Sequence, residues 1–190
     1  MTFFLTVPFK GTMRDFKTTS PRLGILWERK AQSAVWGLLT ILVLVAIAGG
    51  LVDVYRLFAA RNWAYSVAQE AALAGASRGR DWSAVTSGGK IQLNSTTARS
   101  EAQSLVAVEM SVRGLNQYVM DVRVLPDPTG GSISDYPPSP VRLGTSLGNW
   151  SSSEPAVGVY LEVPVSWLML DVLGNQPKTV RVFASAGVAQ

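Results

Sequence analysis

The sequence predicts an α+β fold with a single transmembrane N-terminal helix that continues into a long extramembrane helix, followed by a second helix and a small antiparallel sheet. Three observations predict it. Residues 31–52 are apolar and uncharged, residues 53–77 are rich in alanine without proline, and the later part of the chain alternates apolar and polar residues with the period of β-strands.

The apolar segment Ala31–Val52 consists mostly of Leu, Ile, Val and Ala. Because a helix rises about 1.5 Å per residue, roughly 20 such residues cross the ~30 Å hydrocarbon core of a bilayer. Charged residues border the segment, with Arg29 and Lys30 before it and Asp53 after it. We interpret it as a transmembrane helix rather than the core helix of a soluble protein, since core helices rarely run this long without a polar face.

The basic residues predict the orientation of this helix. The leader, residues 1–30, holds six Lys and Arg against two acids, whereas residues 53–70 hold two Arg. The positive-inside rule then keeps the leader in the cytoplasm and places residues 53–190 outside the cell (inner) membrane. We favour an uncleaved signal anchor over a signal cleaved near Ala46-Ile47-Ala48, because the leader is long for a signal peptide. The leader either lies at the lipid surface or is loosely ordered.

The composition argues against several classes of function. The 190 residues include neither Cys nor His, which removes disulfides, thiolate or imidazole metal sites and His-based triads. The net charge of +4 resides in the leader, so nucleic-acid binding has no support. Asp121, Asp127, Asp135 and Asp171 are scattered acids whose spacing indicates no catalytic pair. We therefore predict no enzyme, and no catalytic, cofactor or metal site.

The extramembrane helix is predicted to run to Ser77 and to end at Gly79. Asp53 and Arg56 stand three residues apart and can pair at the interface, and Tyr55 and Trp63 suit the headgroup region. The small residues of this helix offer either a surface for another helix or a face that packs on the protein's own sheet. The predicted apolar stripe is Val54, Leu57, Phe58, Ala64, Val67, Ala71 and Ala74. The predicted helix-packing and interaction residues are Asp53, Arg56, Ala68, Ala71, Ala72, Leu73, Ala74 and Gly75.

Beyond the long helix, we predict a second helix over residues 97–115 and strands over residues 117–125, 156–168 and 178–188, each with one apolar face. The last two strands are expected to pair antiparallel, with Pro164 at an edge or a bulge. Residues 126–155, rich in Pro, Gly and Ser, are predicted to be a surface loop that takes no part in the core.

The segment from Glu28 to Ala76 resembles the N-terminal signature of the TadE/TadG-like proteins of tight-adherence (Tad/Flp) pilus systems. The resemblance rests on Arg-Lys-Ala-Gln at 29–32, which stands at the family's Arg-Gly-Gln-like tripeptide, on the closing segment 53–57, and on the block Glu-Ala-Ala-Leu-Ala-Gly-Ala at 70–76. The strand at 184–189 is also similar to the C-terminal strand of that family. Lys30 and Trp36 stand where processed members have Gly and Glu, which favours the uncleaved, TadG-like side of the family.

The resemblance implies a pilin-like, non-catalytic component of a Tad/Flp-type pilus or secretion assembly. Its partners would be membrane lipid and other membrane or pilus proteins, reached by helix packing in a multi-subunit assembly. One alternative is an accessory structural subunit of another membrane complex, such as a respiratory or photosynthetic assembly. A further alternative is an anchored envelope enzyme.

Overall fold

The computed structural model describes residues 23–141, 148–167, 169 and 178–188. The chain divides into two compact units, residues 1–45 and residues 46–190. In the first unit the described part is the start of one long helix, and every strand belongs to the second unit. Most of the leader, Asp171 and the turn predicted around residues 174–177 lie outside the described residues.

Three helices and seven strands make up the described fold, which confirms the predicted α+β class. The helices are α1 (Leu23–Arg78), α2 (Trp82–Gly88) and α3 (Ser95–Val112). The strands are β1 (Arg80–Asp81), β2 (Gln92–Leu93), β3 (Val119–Leu125), β4 (Gly131–Ile133), β5 (Trp150–Ser152), β6 (Ala156–Val165) and β7 (Lys178–Gly187). Within the described residues, α1 already begins at Leu23, before the predicted span.

The central sheet has the strand order β3-β6-β7, and both neighbouring pairs are antiparallel. The predicted pairing of the last two strands is therefore confirmed. The ladder between β3 and β6 ends at the pair Val119 and Glu162, so Pro164 has a partner only on β7, where it faces Thr179. This position is a local sheet edge, as the missing N–H of proline requires.

One face of the sheet packs against α1 and α3. Alternate residues of each strand enter this core, including Val122 from β3, Val159 from β6 and Val182 from β7. The helix α3 contributes residues four apart, Ala98, Ala102, Val106 and Met110, all fully buried. The period of two in the strands thus predicts this core face correctly.

The opposite face of the sheet is covered by the insertion at residues 126–155, so the prediction that this segment takes no part in the core is wrong. Tyr136 and Trp150 are buried there together with Phe183 of β7, with ring centroids 5.4–6.0 Å apart. The Tyr136 hydroxyl lies within hydrogen-bond distance of two carbonyl oxygens, at 2.8 Å from Asp121 and 3.0 Å from Gly158. Burial raises the pKa of Tyr136 above its ordinary value.

The stripe predicted on the extramembrane part of α1 is correct for some positions and wrong for others. Leu57, Ala64, Val67 and Ala71 belong to the core. Val54 and Phe58 are exposed instead. At about 100° per residue, Phe58 lies more than a quarter-turn from the line through Ala64 and Ala71, so the sheet cannot cover both directions.

Candidate functional site

The described part of the apolar segment is exposed along its length. Every residue from Gln32 to Ala48 is exposed, and these include Leu, Ile, Val and Trp side chains on all sides of α1. Within the described residues, α1 is the one helix long and apolar enough to cross a membrane, with a mean hydropathy of 2.5 in its most apolar window. The segment therefore has the length and composition of a membrane span.

Asp53, where the apolar segment ends, is fully buried. Its Oδ2 accepts a hydrogen bond from the backbone N–H of Met169, at 2.9 Å. One turn earlier, Gly49 packs so closely on the Met169 side chain that a Cβ at this position would collide with it. Met169 is thus held against α1 at the end of the apolar segment.

The ion pairs between described residues join Arg78 to Glu101, Arg123 to Asp121 and Arg181 to Glu162. The pair of Asp53 and Arg56 expected from the sequence is not among them. A buried carboxylate needs hydrogen-bond donors, and the N–H of Met169 is one such donor.

The alanine-rich block mostly faces the protein's own core. Ala68, Ala71, Ala72 and Gly75 are buried against α3 and the sheet. A Cβ at Gly75 would lie 2.7 Å from the carbonyl oxygen of Ala98 and 3.2 Å from Cγ1 of Val157. Ala74 is half-buried, and Leu73 is exposed. Of the two alternatives for these small residues, internal packing accounts for the buried positions, and Leu73 is the exposed apolar member of the block.

A second row of residues follows the opposite side of α1, which we call the outward stripe. Its members are three or four residues apart and are all exposed, so they share one helix face. By helical phase this face points away from Asp53 and Ala71, which are buried. The outward stripe consists of Leu51, Tyr55, Phe58, Asn62, Tyr65, Gln69 and Leu73.

On a third side of α1, between these two faces, lies a cavity of about 410 Å³. Arg56 and Trp63 line it from α1, and Arg113 and Leu115 line it from the end of α3. The guanidinium Cζ of Arg113 lies 4.1 Å from the centroid of the Trp63 ring, a cation–π contact. No acidic side chain is found among the described residues that line this cavity.

Sequence reasoning missed Arg113 as a site residue, although a signal exists. Gly114 has a φ of 66°, and the N–H groups of Gly114 and Leu115 donate to the carbonyl oxygens of Ser111 and Met110. This is the Schellman ending of a helix, in which glycine follows the last helical residues. The glycine therefore fixes where α3 ends, directly after Arg113.

The scattered acids occupy separate places. Asp121 pairs with Arg123 in the same strand, with N–O distances of 3.1 Å. Asp127 and Asp135 are exposed, and Asp171 is outside the described residues. In the part of the chain that the structure describes, no group of three or more acidic side chains is arranged to hold a metal ion.

Comparisons with known proteins add no family to this chain: no family model matches it, and no curated protein or solved structure is significantly similar to it. The resemblance to TadE/TadG-like proteins accordingly stays a prediction from the quoted residues.

Proposed function

We propose that this chain is a non-catalytic, single-pass membrane protein that acts as a pilin-like component of a Tad/Flp-type pilus or secretion assembly. In this proposal residues 31–52 cross the cell membrane, the leader is cytoplasmic, and residues 53–190 form the extracytoplasmic domain. The observation that supports it most is α1 itself, which is apolar and exposed from Gln32 to Ala48 and then becomes part of a folded domain.

The exposure of the apolar segment supports anchoring in lipid on energetic grounds. Burial of apolar surface is worth about 25 cal/mol per Å², or roughly 1.5–3 kcal/mol for each large side chain. Val35, Leu38 and Ile41 are among many such side chains left exposed. A helix that is apolar all round is typical of a membrane span or of the core of a large protein, and the described residues leave this one exposed, as a span would be.

The outward stripe supports a partner outside the membrane. Its aromatic and aliphatic members, Tyr55, Phe58, Tyr65 and Leu73, remain exposed although the other side of α1 is packed. Aromatic side chains in a contiguous exposed row are typical of protein–protein contact surfaces. The proposed assembly contact therefore uses the outward stripe, and the buried alanines provide the rigid base beneath it.

Recovery of the intact protein from native membranes tests this function. Co-isolation with pilin and platform proteins of a pilus apparatus is the expected result. Co-isolation with a cofactor-bearing respiratory or photosynthetic complex would support the accessory-subunit alternative instead. An enzymatic activity abolished by changing a single acid, Asp121 for example, would contradict both.

Replacing Leu73 with arginine is expected to lower partner recovery at least about tenfold, because a charge would have to be desolvated at an apolar contact. Val108→Arg is the matched control, since Val108 is 59% exposed on α3 and Leu73 is 51% exposed. Both variants should retain the wild-type melting temperature. Equal partner recovery from the two variants would show that the outward stripe is not part of the interface.

A further inference from the structure

We propose that the cavity lined by Arg56, Trp63 and Arg113 binds the phosphate of an anionic lipid headgroup on the extracytoplasmic side of the membrane. The inference rests on the proposed membrane anchoring of α1. It goes further in assigning a specific lipid contact to side chains outside the hydrocarbon core.

The charged side chains that line the cavity from the described part of the chain have one sign. Arg56 and Arg113 both line it, and neither takes part in the ion pairs found between described residues. Two guanidinium groups at one cavity repel each other unless an anion lies between them. Phosphate oxygens fit this need, because guanidinium groups bind them with paired, charge-assisted hydrogen bonds.

The position of the cavity along α1 matches the headgroup layer. Arg56 follows Asp53 by three residues, which is about 4.5 Å along a helix. The headgroup layer on each side of the hydrocarbon core is roughly 5–8 Å thick. Tyr55, which also lines the cavity, follows Asp53 by two residues and lies within the same layer. Trp and Tyr residues are enriched at this depth.

The apolar part of the cavity lining favours a lipid over a free phosphate ion. The cavity lining also contains apolar side chains, those of Ala60, Leu115, Val163 and Val165. A volume of about 410 Å³ also exceeds what a single phosphate group occupies and lies within the range of small-molecule sites. A phospholipid headgroup matches both features, because its phosphate can bind the arginines and its glycerol carbons can contact the apolar side chains.

Arg113 is held in place for this role. Its guanidinium group stacks on Trp63, and Gly114 ends the helix that carries it. A stacked guanidinium has lost part of its side-chain freedom before any ligand binds, so less entropy is lost on binding. A cation–π contact uses no N–H hydrogen bond of the guanidinium group, so these donors remain available to an anion.

The experiment reconstitutes the full-length protein into nanodiscs of phosphatidylcholine mixed with a minor fraction of phosphatidylglycerol, and counts by native mass spectrometry the lipids retained on the released protein. The wild type should retain phosphatidylglycerol in preference to phosphatidylcholine. The double variant Arg56→Gln/Arg113→Gln should lose this preference by about tenfold or more. If the double variant retains phosphatidylglycerol as the wild type does, the site is refuted.

Two further variants test whether a lost lipid preference comes from the site itself, from the lower net charge or from misfolding. Arg61→Gln/Arg99→Gln removes the same charge from exposed positions outside the cavity and should keep the preference. Arg56→Lys/Arg113→Lys keeps the charge without the paired hydrogen bonds and should retain the preference in part. Loss of the preference in the first of these variants would assign the effect to net charge and overturn the proposal.

A soluble phosphate compound shows whether the cavity binds the phosphate of a lipid or a free phosphate. Glycerol phosphate added to phosphatidylcholine nanodiscs should fail to bind at concentrations where phosphatidylglycerol is retained. Tight binding of glycerol phosphate without a lipid preference would contradict a lipid site. Release of the wild type from membranes by alkaline carbonate would refute the anchoring itself, whereas an anchored protein without lipid preference would refute this inference alone.

Discussion

Replacing Trp150 with alanine is expected to lower the free energy of unfolding of the folded domain by about 3–5 kcal/mol, the usual cost of deleting a buried aromatic side chain. Trp150 is 7% exposed and contacts the rings of Tyr136 and Phe183 on the sheet face opposite α1. Since domains are typically stable by 5–15 kcal/mol, the loss is a large share of the total. Urea unfolding of the full-length protein in detergent, followed by near-ultraviolet circular dichroism, measures it.

Trp82→Ala is the matched control for this prediction. Trp82 lies on α2 and is 65% exposed, so its removal should change the free energy of unfolding by less than about 0.5 kcal/mol. The comparison tests whether the insertion at residues 126–155 belongs to the core. Equal urea midpoints of unfolding for the two variants would show that the insertion is a surface loop outside the core.

Replacing Gly75 with leucine is expected to cost about 3 kcal/mol, at the upper end of the range for overpacked cores. Even a Cβ at this position would press on the carbonyl oxygen of Ala98 in α3, and a backbone atom cannot move without displacing its helix. The same urea titration measures the effect. The helix α3 should separate from α1 first, because Gly75 lies at their contact.

Gly88→Leu serves as the control, because no atom lies within 4 Å of a Cβ at Gly88. The pair of variants also distinguishes the two roles of the alanine-rich block. If Gly75→Leu left the stability unchanged and abolished partner recovery, the block would be a partner surface, contrary to its burial here.

The parts of the fold that were predictable from the sequence are those with a simple hydrophobic period. Alternation in the strands gave the correct core face for Val122, Val159 and Val182. The continuation of α1 past the apolar segment also followed from composition, since residues 53–77 hold no proline. The predicted helix over residues 97–115 begins two residues after the observed start of α3 at Ser95. Asn94 is nevertheless a recognisable cap, because its side chain accepts hydrogen bonds from the N–H groups of Thr96 and Thr97.

The parts that were not predictable depend on contacts distant in sequence. The insertion at 126–155 has the composition of a loop, and its aromatic residues become core only because Phe183, much later in the chain, lies beneath them. The cavity likewise joins Trp63 of α1 to Arg113 of α3, and no local pattern relates the two. The outward stripe likewise depends on which face of α1 the sheet covers, and the sequence of α1 alone does not determine that.

The accessibility of single cysteines tests the membrane topology most directly, because the chain has no cysteine of its own. Thr19→Cys in the leader, Leu42→Cys in the apolar segment and Ser100→Cys on α3 are treated in intact cells with a membrane-impermeant maleimide. We expect labelling at position 100 alone, labelling at position 19 only after lysis, and none at position 42 in either state. Labelling of position 42 by the water-soluble reagent, or equal labelling of positions 19 and 100 in intact cells, would contradict a span at residues 31–52.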